Sequence, residues 1–197
     1  MAAVLLAGGT LSAGAAPPRT GPEPDGSCPA TYDAEFEAAL AEAEKEFPED
    51  DDRGLAPAGP RGRFTLPLRR RYRITTRYGA RGNWLAGHHT GVDLAVPRGT
   101  AVYAVGAGVV VLARWSGAYG KAVTIRMPDG HYAVYAHLSR IRVRKGARVR
   151  AGTRLGSSGS TGRATGPHLH LEIRARRNYG SDISPYRYLA RRGTRLW

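Results

Sequence analysis

Cysteine is all but missing from this chain of 197 residues, where Cys28 stands alone. A single thiol excludes an intramolecular disulfide framework and any multi-cysteine zinc site within one chain. Cys28 is not placed as a lipid-anchor cysteine either, because Asp25 occupies a position that needs an aliphatic residue. It reads as a free thiol in a Pro/Gly-rich stretch. Acids are scarce in one part only. Residues 1–60 hold 12 acids against 3 bases, a net of −9, and residues 61–197 hold 4 acids against 27 bases, a net of +23. An acidic head therefore precedes a basic body that long-range attraction draws to polyanions. Nucleic acid, anionic wall polymer and membrane surface all satisfy that charge, so charge alone does not choose among them.

The body also lacks any long helical period. With 26 glycines and 13 prolines in the chain, short strands and turns are favoured, and 42% hydrophobic residues suffice for a core. A membrane span is missing too: the apolar segment 2–16 is short and glycine-rich. It reads as an export signal with small residues at Ala13-Gly14-Ala15, although no Lys or Arg precedes it.

Composition divides the rest. Residues 17–62 form an acidic linker. Within it Tyr32, Phe36, Ala39, Leu40, Ala43 and Phe47 recur at helical spacing over 31–47, and Pro48 stops the run. This helix reads as solvated on its linker, or as docking on the basic body. Residues 63–190 form a β domain and 191–197 a basic tail. Strands are expected at 73–78, 91–96, 101–105, 108–115, 122–127, 132–137 and 168–174, with a hairpin turn at Asp129-Gly130. The fold class is all-β: an antiparallel sandwich or partly open barrel. Arginines between 140 and 154 alternate with apolar residues, as on a half-buried strand with a solvated or wall-binding face.

The chemistry centres on Gly166-Pro167-His168-Leu169-His170-Leu171-Glu172. Strand alternation puts His168 and His170 on one face and both leucines on the other. A second cluster, His88-His89-Thr90-Gly91-Val92-Asp93, adds an imidazole and a carboxylate. On a straight strand His89 and Asp93 would lie about 13 Å apart. Joint ligation of zinc at about 2.0–2.2 Å therefore demands a bend, which Gly91 permits. Two imidazoles and one carboxylate leave a fourth tetrahedral position open, the pattern of catalytic zinc. His137, ending a strand, offers a further imidazole.

In order along the chain, these motifs resemble the lysostaphin-type (LytM-type) zinc endopeptidases, which cleave peptides of bacterial peptidoglycan. The resemblance rests on Arg77-Tyr78-Gly79-Ala80-Arg81, His89-Thr90-Gly91-Val92-Asp93, Tyr135-Ala136-His137-Leu138-Ser139, Gly159-Ser160-Thr161-Gly162 and Thr165-Gly166-Pro167-His168-Leu169-His170. It implies one zinc per chain held by His89, Asp93 and His170, with His137 and His168 as the catalytic pair. It also implies the family's antiparallel fold, a duplicated hybrid motif, with a groove above the metal. The expected partners are peptidoglycan and anionic wall polymers, without specific nucleic acid or stable membrane insertion, for a monomer secreted to the wall or periplasm. The alternative function is an inactive wall-binding or hydrolase-activating module of the same fold. Around the site, His88 is expected to face away and His131 to be exposed. Glu172 either orients a ligand or is a satisfied strand-edge carboxylate. Tyr78, Trp84 and Tyr119 either line the groove or pack. Asn83 departs from the aromatic group that relatives often carry there.

Overall fold

All seven strands expected from the pattern are present, each end within two residues of its expected position. The computed structural model describes residues 64–196 together with Glu37, Ala38, Ala41, Glu42 and Lys45. Those five are helical, inside the helix expected over 31–47. The export segment and the remainder of the linker lie outside the described residues.

The strands are β1 (Arg73–Thr76), β2 (Val92–Ala95), β3 (Ala101–Tyr103), β4 (Gly108–Trp115), β5 (Lys121–Arg126), β6 (Tyr132–Leu138), β7 (Arg140–Ile141), β8 (Arg148–Val149), β9 (Arg154–Ser157), β10 (His168–Arg174) and β11 (Asp182–Ile183). One helix follows, α1 (Pro185–Ala190). The large sheet runs β1-β2-β10-β6-β5-β4-β8, with β11 also paired to β10, and a smaller sheet runs β3-β9-β7. Every pairing is antiparallel. The Asp129-Gly130 signal does make the β5–β6 hairpin: Met127 N–H donates to His131 O, and Gly130 takes φ +77°, which glycine adopts without a Cβ penalty.

Between the sheets, Leu169, Leu171 and Ile173 of β10 join Val102 of β3 and Leu155 of β9 in one buried cluster. The leucine face of β10 thus anchors the strand, and its histidine face is left for the opposite side of the large sheet. A smaller cluster of Val111, Leu112, Tyr119, Ala122, Tyr132, Val134 and Ala136 supports that side.

Several differences from expectation have local causes. His131 is half-buried rather than exposed, because its ring packs on Tyr188 with centroids 5.0 Å apart. Residues 191–196 do not stand apart as a tail. Thr194 N–H closes on Leu189 O after α1, and Leu196 enters the core. The arginine run 140–154 keeps its alternation, with Ile141, Val143 and Ala147 packed inward and Arg140, Arg142, Arg144, Arg148 and Arg150 exposed. Its regular strands, β7 and β8, are only two residues each. Among the described residues no helix is long and apolar enough to cross a membrane.

Candidate metal centre

Cross-strand pairing does most of the assembly. In the β10–β2 register His170 stands directly opposite Asp93, so two side chains 77 positions apart in sequence share one face as nearest neighbours. His89 precedes β2 and is clamped by the 77–80 segment. Its backbone exchanges 2.8 Å hydrogen bonds with Gly79 N–H and Ala80 O, and its ring Nδ1 lies 3.1 Å from Arg77 O. The Arg77-Tyr78-Gly79-Ala80 motif is therefore the cradle of His89, with Gly79 at φ +78° making the turn.

The result is a triangle of donor atoms. His89 Nε2 lies 3.1 Å from His170 Nδ1, which lies 2.9 Å from Asp93 Oδ1, and the third edge is 3.2 Å. A tetrahedral metal with ligands at about 2.0–2.1 Å needs its donors roughly 3.3 Å apart, so the triangle has the size of a zinc site. The far nitrogens support the same reading. His89 Nδ1–H donates to Arg77 O, and His170 Nε2 faces Glu172 Oε2 at 3.5 Å. Each ring thus has an outer partner that leaves the inner nitrogen free to ligate.

The electrostatics favour a cation here. Burial opposes the charge on Asp93, yet hydrogen bonds from His170 and His89 hold its carboxyl well below the usual range. Burial likewise opposes a proton on His170, but Asp93 and Glu172 push it up to about 9. Glu172, fully buried, is held down to about 2 against the cost of burial, by Arg174 first and then His170. Two carboxylates thus flank one imidazole, and a proton occupies what a metal can take.

His137 and His168 flank the triad. Their ring centroids are 4.7 Å apart, and His137 lies 5.8 Å from His170. His137 Nδ1–H donates to Thr161 O and His168 Nδ1–H to Gly166 O, both at 2.8 Å, so both rings turn Nε2 to the cleft. Burial, with the neighbouring His170 and His168 imidazoles, pushes His137 down to about 3 and keeps it neutral. His168 Nε2 is 3.7 Å from Asp93 Oδ1.

His137 reaches this position by breaking strand alternation. Tyr135 opposes Val123 and Leu138 opposes Lys121, so Ala136 and His137 together face the single residue Ala122. This is a bulge, and its second residue His137 has φ +58°, the one described non-glycine residue in the left-handed region. The bulge lets Ala136 and His137 both serve the cleft side while Tyr135 and Leu138 stay in the core.

The five residues form the floor of an open cleft of about 330 Å³, with Trp84, Leu85, Tyr119, Arg163 and Tyr179 among its walls. Trp84 lies against His89, ring centroids 5.1 Å apart, beside the position where Asn83 departs from the family's aromatic group. Trp84 and Tyr119 line the cleft as one of their two readings had it. Tyr78 does not. It packs edge-on against His88 and donates its hydroxyl to Asp182 O. His88 faces Asp182 Oδ2 at 2.9 Å and stays outside the triad. Arg163 and Tyr179 were not anticipated, since neither carries a motif signal of its own.

A family model described as Peptidase family M23 matches residues 87–185, just over half of the chain. The chain belongs to peptidase family M23. Among relatives, the peptidoglycan DD-endopeptidase ShyA of Vibrio cholerae is 49% identical over 85 residues, covering 43% of this chain and 20% of that protein. The DD-carboxypeptidase/endopeptidase Mpg of Neisseria meningitidis is 46% identical over 97 residues, covering 49% of this chain and 22% of that one. The matched region spans only about a fifth of either relative. Among solved structures, the catalytic domain of lysostaphin from Staphylococcus simulans aligns with TM-score 0.57 and 35% identity, over 60% of this chain and 92% of that one. A zinc-containing peptidase from Vibrio cholerae aligns with TM-score 0.55 and 33% identity, over 61% of this chain and 38% of that one.

In this M23 domain Gly91 is needed for close approach. A Cβ there would lie 2.5 Å from Leu171 O and 2.7 Å from His170 Cε1. Gly91→Ala must push β10 or the His170 ring aside. Overpacking of this kind costs about 1–3 kcal/mol. Thermal unfolding in chelator is expected to show that loss, and zinc titration a weakening of at least about tenfold.

Proposed function

We propose that this chain is a zinc-dependent endopeptidase that hydrolyses peptide bonds in bacterial peptidoglycan, with His89, Asp93 and His170 as the metal ligands. The observation that supports it most is the meeting of that donor triangle with two cleft-facing Nε2 atoms, those of His137 and His168. Zinc held there would supply Lewis acidity at the scissile carbonyl and acidify water toward neutral pH.

The chain's own residues supply the rest. His137, neutral and with Nδ1–H committed to Thr161 O, offers an Nε2 lone pair to take a proton and return it to the leaving amine. His168 has its Nδ1–H committed to Gly166 O and Asp93 within 3.7 Å of Nε2, so it donates toward negative charge on the substrate when that nitrogen is protonated. Trp84, Tyr119 and Tyr179 give an extended peptide apolar walls, and Arg163 gives it a cation. An inactive wall-binding module has no use for five such groups converging on one point.

Export to the wall or periplasm belongs to the same proposal, as does adhesion to anionic wall polymer through the exposed arginines of 140–150. Both follow from the substrate and the +23 body. Purified walls test the whole reading through turbidity loss and muropeptide release. Chelation is expected to stop the reaction and stoichiometric zinc to restore it. Wall association is expected to fall as salt rises from about 0.1 to 1 M, because screening shortens the reach of the basic face. Equal hydrolysis with and without chelator overturns the metallopeptidase reading, and salt-independent association overturns adhesion.

A further inference from the structure

Behind the donor triangle lies a set of buried charges that the proposed chemistry does not use. Glu172 and Arg174 follow His170 at two-residue intervals on β10, so all three share one face, and both charged side chains are fully buried. Glu172 Oε2 faces His170 Nε2 at 3.5 Å and accepts from Thr90 Oγ1 at 3.2 Å and from Tyr119 OH at 2.9 Å. Its Oε1 accepts from Arg174 Nε. Arg174 Nη2 reaches Tyr119 OH at 2.9 Å, closing a ring of contacts. The outer nitrogen, Nη1, donates to Arg177 O at 3.0 Å and to Glu37 Oε1 at 3.1 Å. Glu37 belongs to the acidic head, and the same oxygen accepts the Tyr179 N–H at 2.6 Å.

We propose that Glu172 is a positioning residue for the ligand His170, and that Glu37 docks the N-terminal helical segment onto the same network. This rests on the metal reading of the site. A buried ion pair is a poor source of stability compared with apolar packing. Its retention here is explained by what it touches. An imidazole that ligates through Nδ1 needs its Nε2–H held, or the ring turns and the donor leaves the triangle. Glu172 supplies that hold, and Thr90, Tyr119 and Arg174 fix the carboxylate in turn. Glu37 adds its carboxylate to that of Glu172 at the fully buried Arg174 guanidinium. The acidic head is thereby tied to β10 two contacts away from a metal ligand, and to Tyr179 on the cleft wall.

The test uses the full chain and two readouts besides activity: zinc affinity by competition with a chromogenic chelator, and the visible spectrum of the cobalt(II)-substituted protein. Glu172→Gln is expected to weaken zinc about 10- to 100-fold and to shift the cobalt bands, because the ligand ring is no longer held. A purely structural role would lower the melting temperature and move neither. Thr90→Val removes one hydrogen bond to Glu172 with little change in shape, and is expected to weaken zinc about two- to fivefold. It carries the test should Glu172→Gln not fold. Glu37→Gln is expected to lower the metal-free melting temperature by about 3–8 °C and to weaken zinc by a smaller factor than Glu172→Gln. Wild-type zinc affinity and cobalt spectrum in folded Glu172→Gln, or in Thr90→Val, overturn the positioning role. An unchanged melting temperature in Glu37→Gln overturns the docking. Failure of the wild type itself to take up zinc sinks the underlying metal reading instead.

Discussion

Asp93→Ala is expected to give a folded protein that retains no stoichiometric zinc and hydrolyses walls no faster than the chelated wild type. Asp93 supplies the one anionic donor of the proposed triad, on the strand directly opposite His170. Without it two neutral imidazoles remain, and with them goes the charge that attracts a divalent cation. Loss of the metal is expected to cost at least about 10⁴-fold in rate, a modest share of what enzymes supply. The fold tolerates the change because the neighbours Val92 and Leu94 hold β2 in the core, and the Asp93 side chain faces the cleft. Thermal unfolding separates the two effects. Zinc at about 1,000 times its Kd stabilises the wild type by about 4 kcal/mol and is expected to leave Asp93→Ala unmoved. Elemental analysis after dialysis gives the metal content directly. One zinc per variant chain, with activity within tenfold of wild type, overturns the assignment.

The legible part of this protein was whatever alternation and turn chemistry carry. His168-Leu169-His170-Leu171 announced a strand with leucines inward and imidazoles outward, and β10 is that strand. The Asp129-Gly130 hairpin was equally local. The bend that joint ligation demands between His89 and Asp93 is there at Gly91, just before β2 begins at Val92, and it brings the two side chains within 3.2 Å. Not legible was the second demand on Gly91, space against Leu171 O and the His170 ring. Which strand would lie beside β10 was not legible. The pairing of His170 with Asp93 depends on a sheet order, β2-β10-β6, that skips from one end of the domain to the other.

Three features escaped for the same physical reason: they are set by partners distant in sequence. The two-residue strands β7, β8 and β11 are too short to show any period. The α1 helix is six residues long and rests on its Ser184 cap and on Tyr188 and Leu189 packing into the core, rather than on a repeating stripe. Arg174 has no local signal at all. Besides Glu172 on its own strand, it meets Tyr119 and Glu37, 55 and 137 positions away. The acidic head and basic body were visible as bulk charge, but the Glu37 contacts with Arg174 and Tyr179 that join their described parts were not.

His137 is where simple alternation would mislead, and it carries the second large effect. Counting along β6 from Tyr135 and Leu138 places it on neither face consistently. The bulge at Ala136-His137 and φ +58° turn it to the cleft. Left-handed backbone at a non-glycine residue costs roughly 1–2 kcal/mol, and the packing around it, with the Thr161 O hydrogen bond, holds it there. His137→Ala is expected to lower kcat by about 10²–10⁴-fold, with zinc still bound at one per chain because the triad is intact. His137→Gly is expected to be equally inactive, yet at least as stable as the alanine variant, since glycine relieves the positive φ. That pair of results separates the side chain's chemistry from the backbone's strain. His168→Ala is expected to be impaired as well. If the two rings act as a unit, the double variant loses little beyond the worse single variant. Retention of more than about a tenth of wild-type kcat by zinc-loaded His137→Ala would remove it from the proton-transfer role. The base would then have to be His168, whose Nε2 is the other one facing the same cleft.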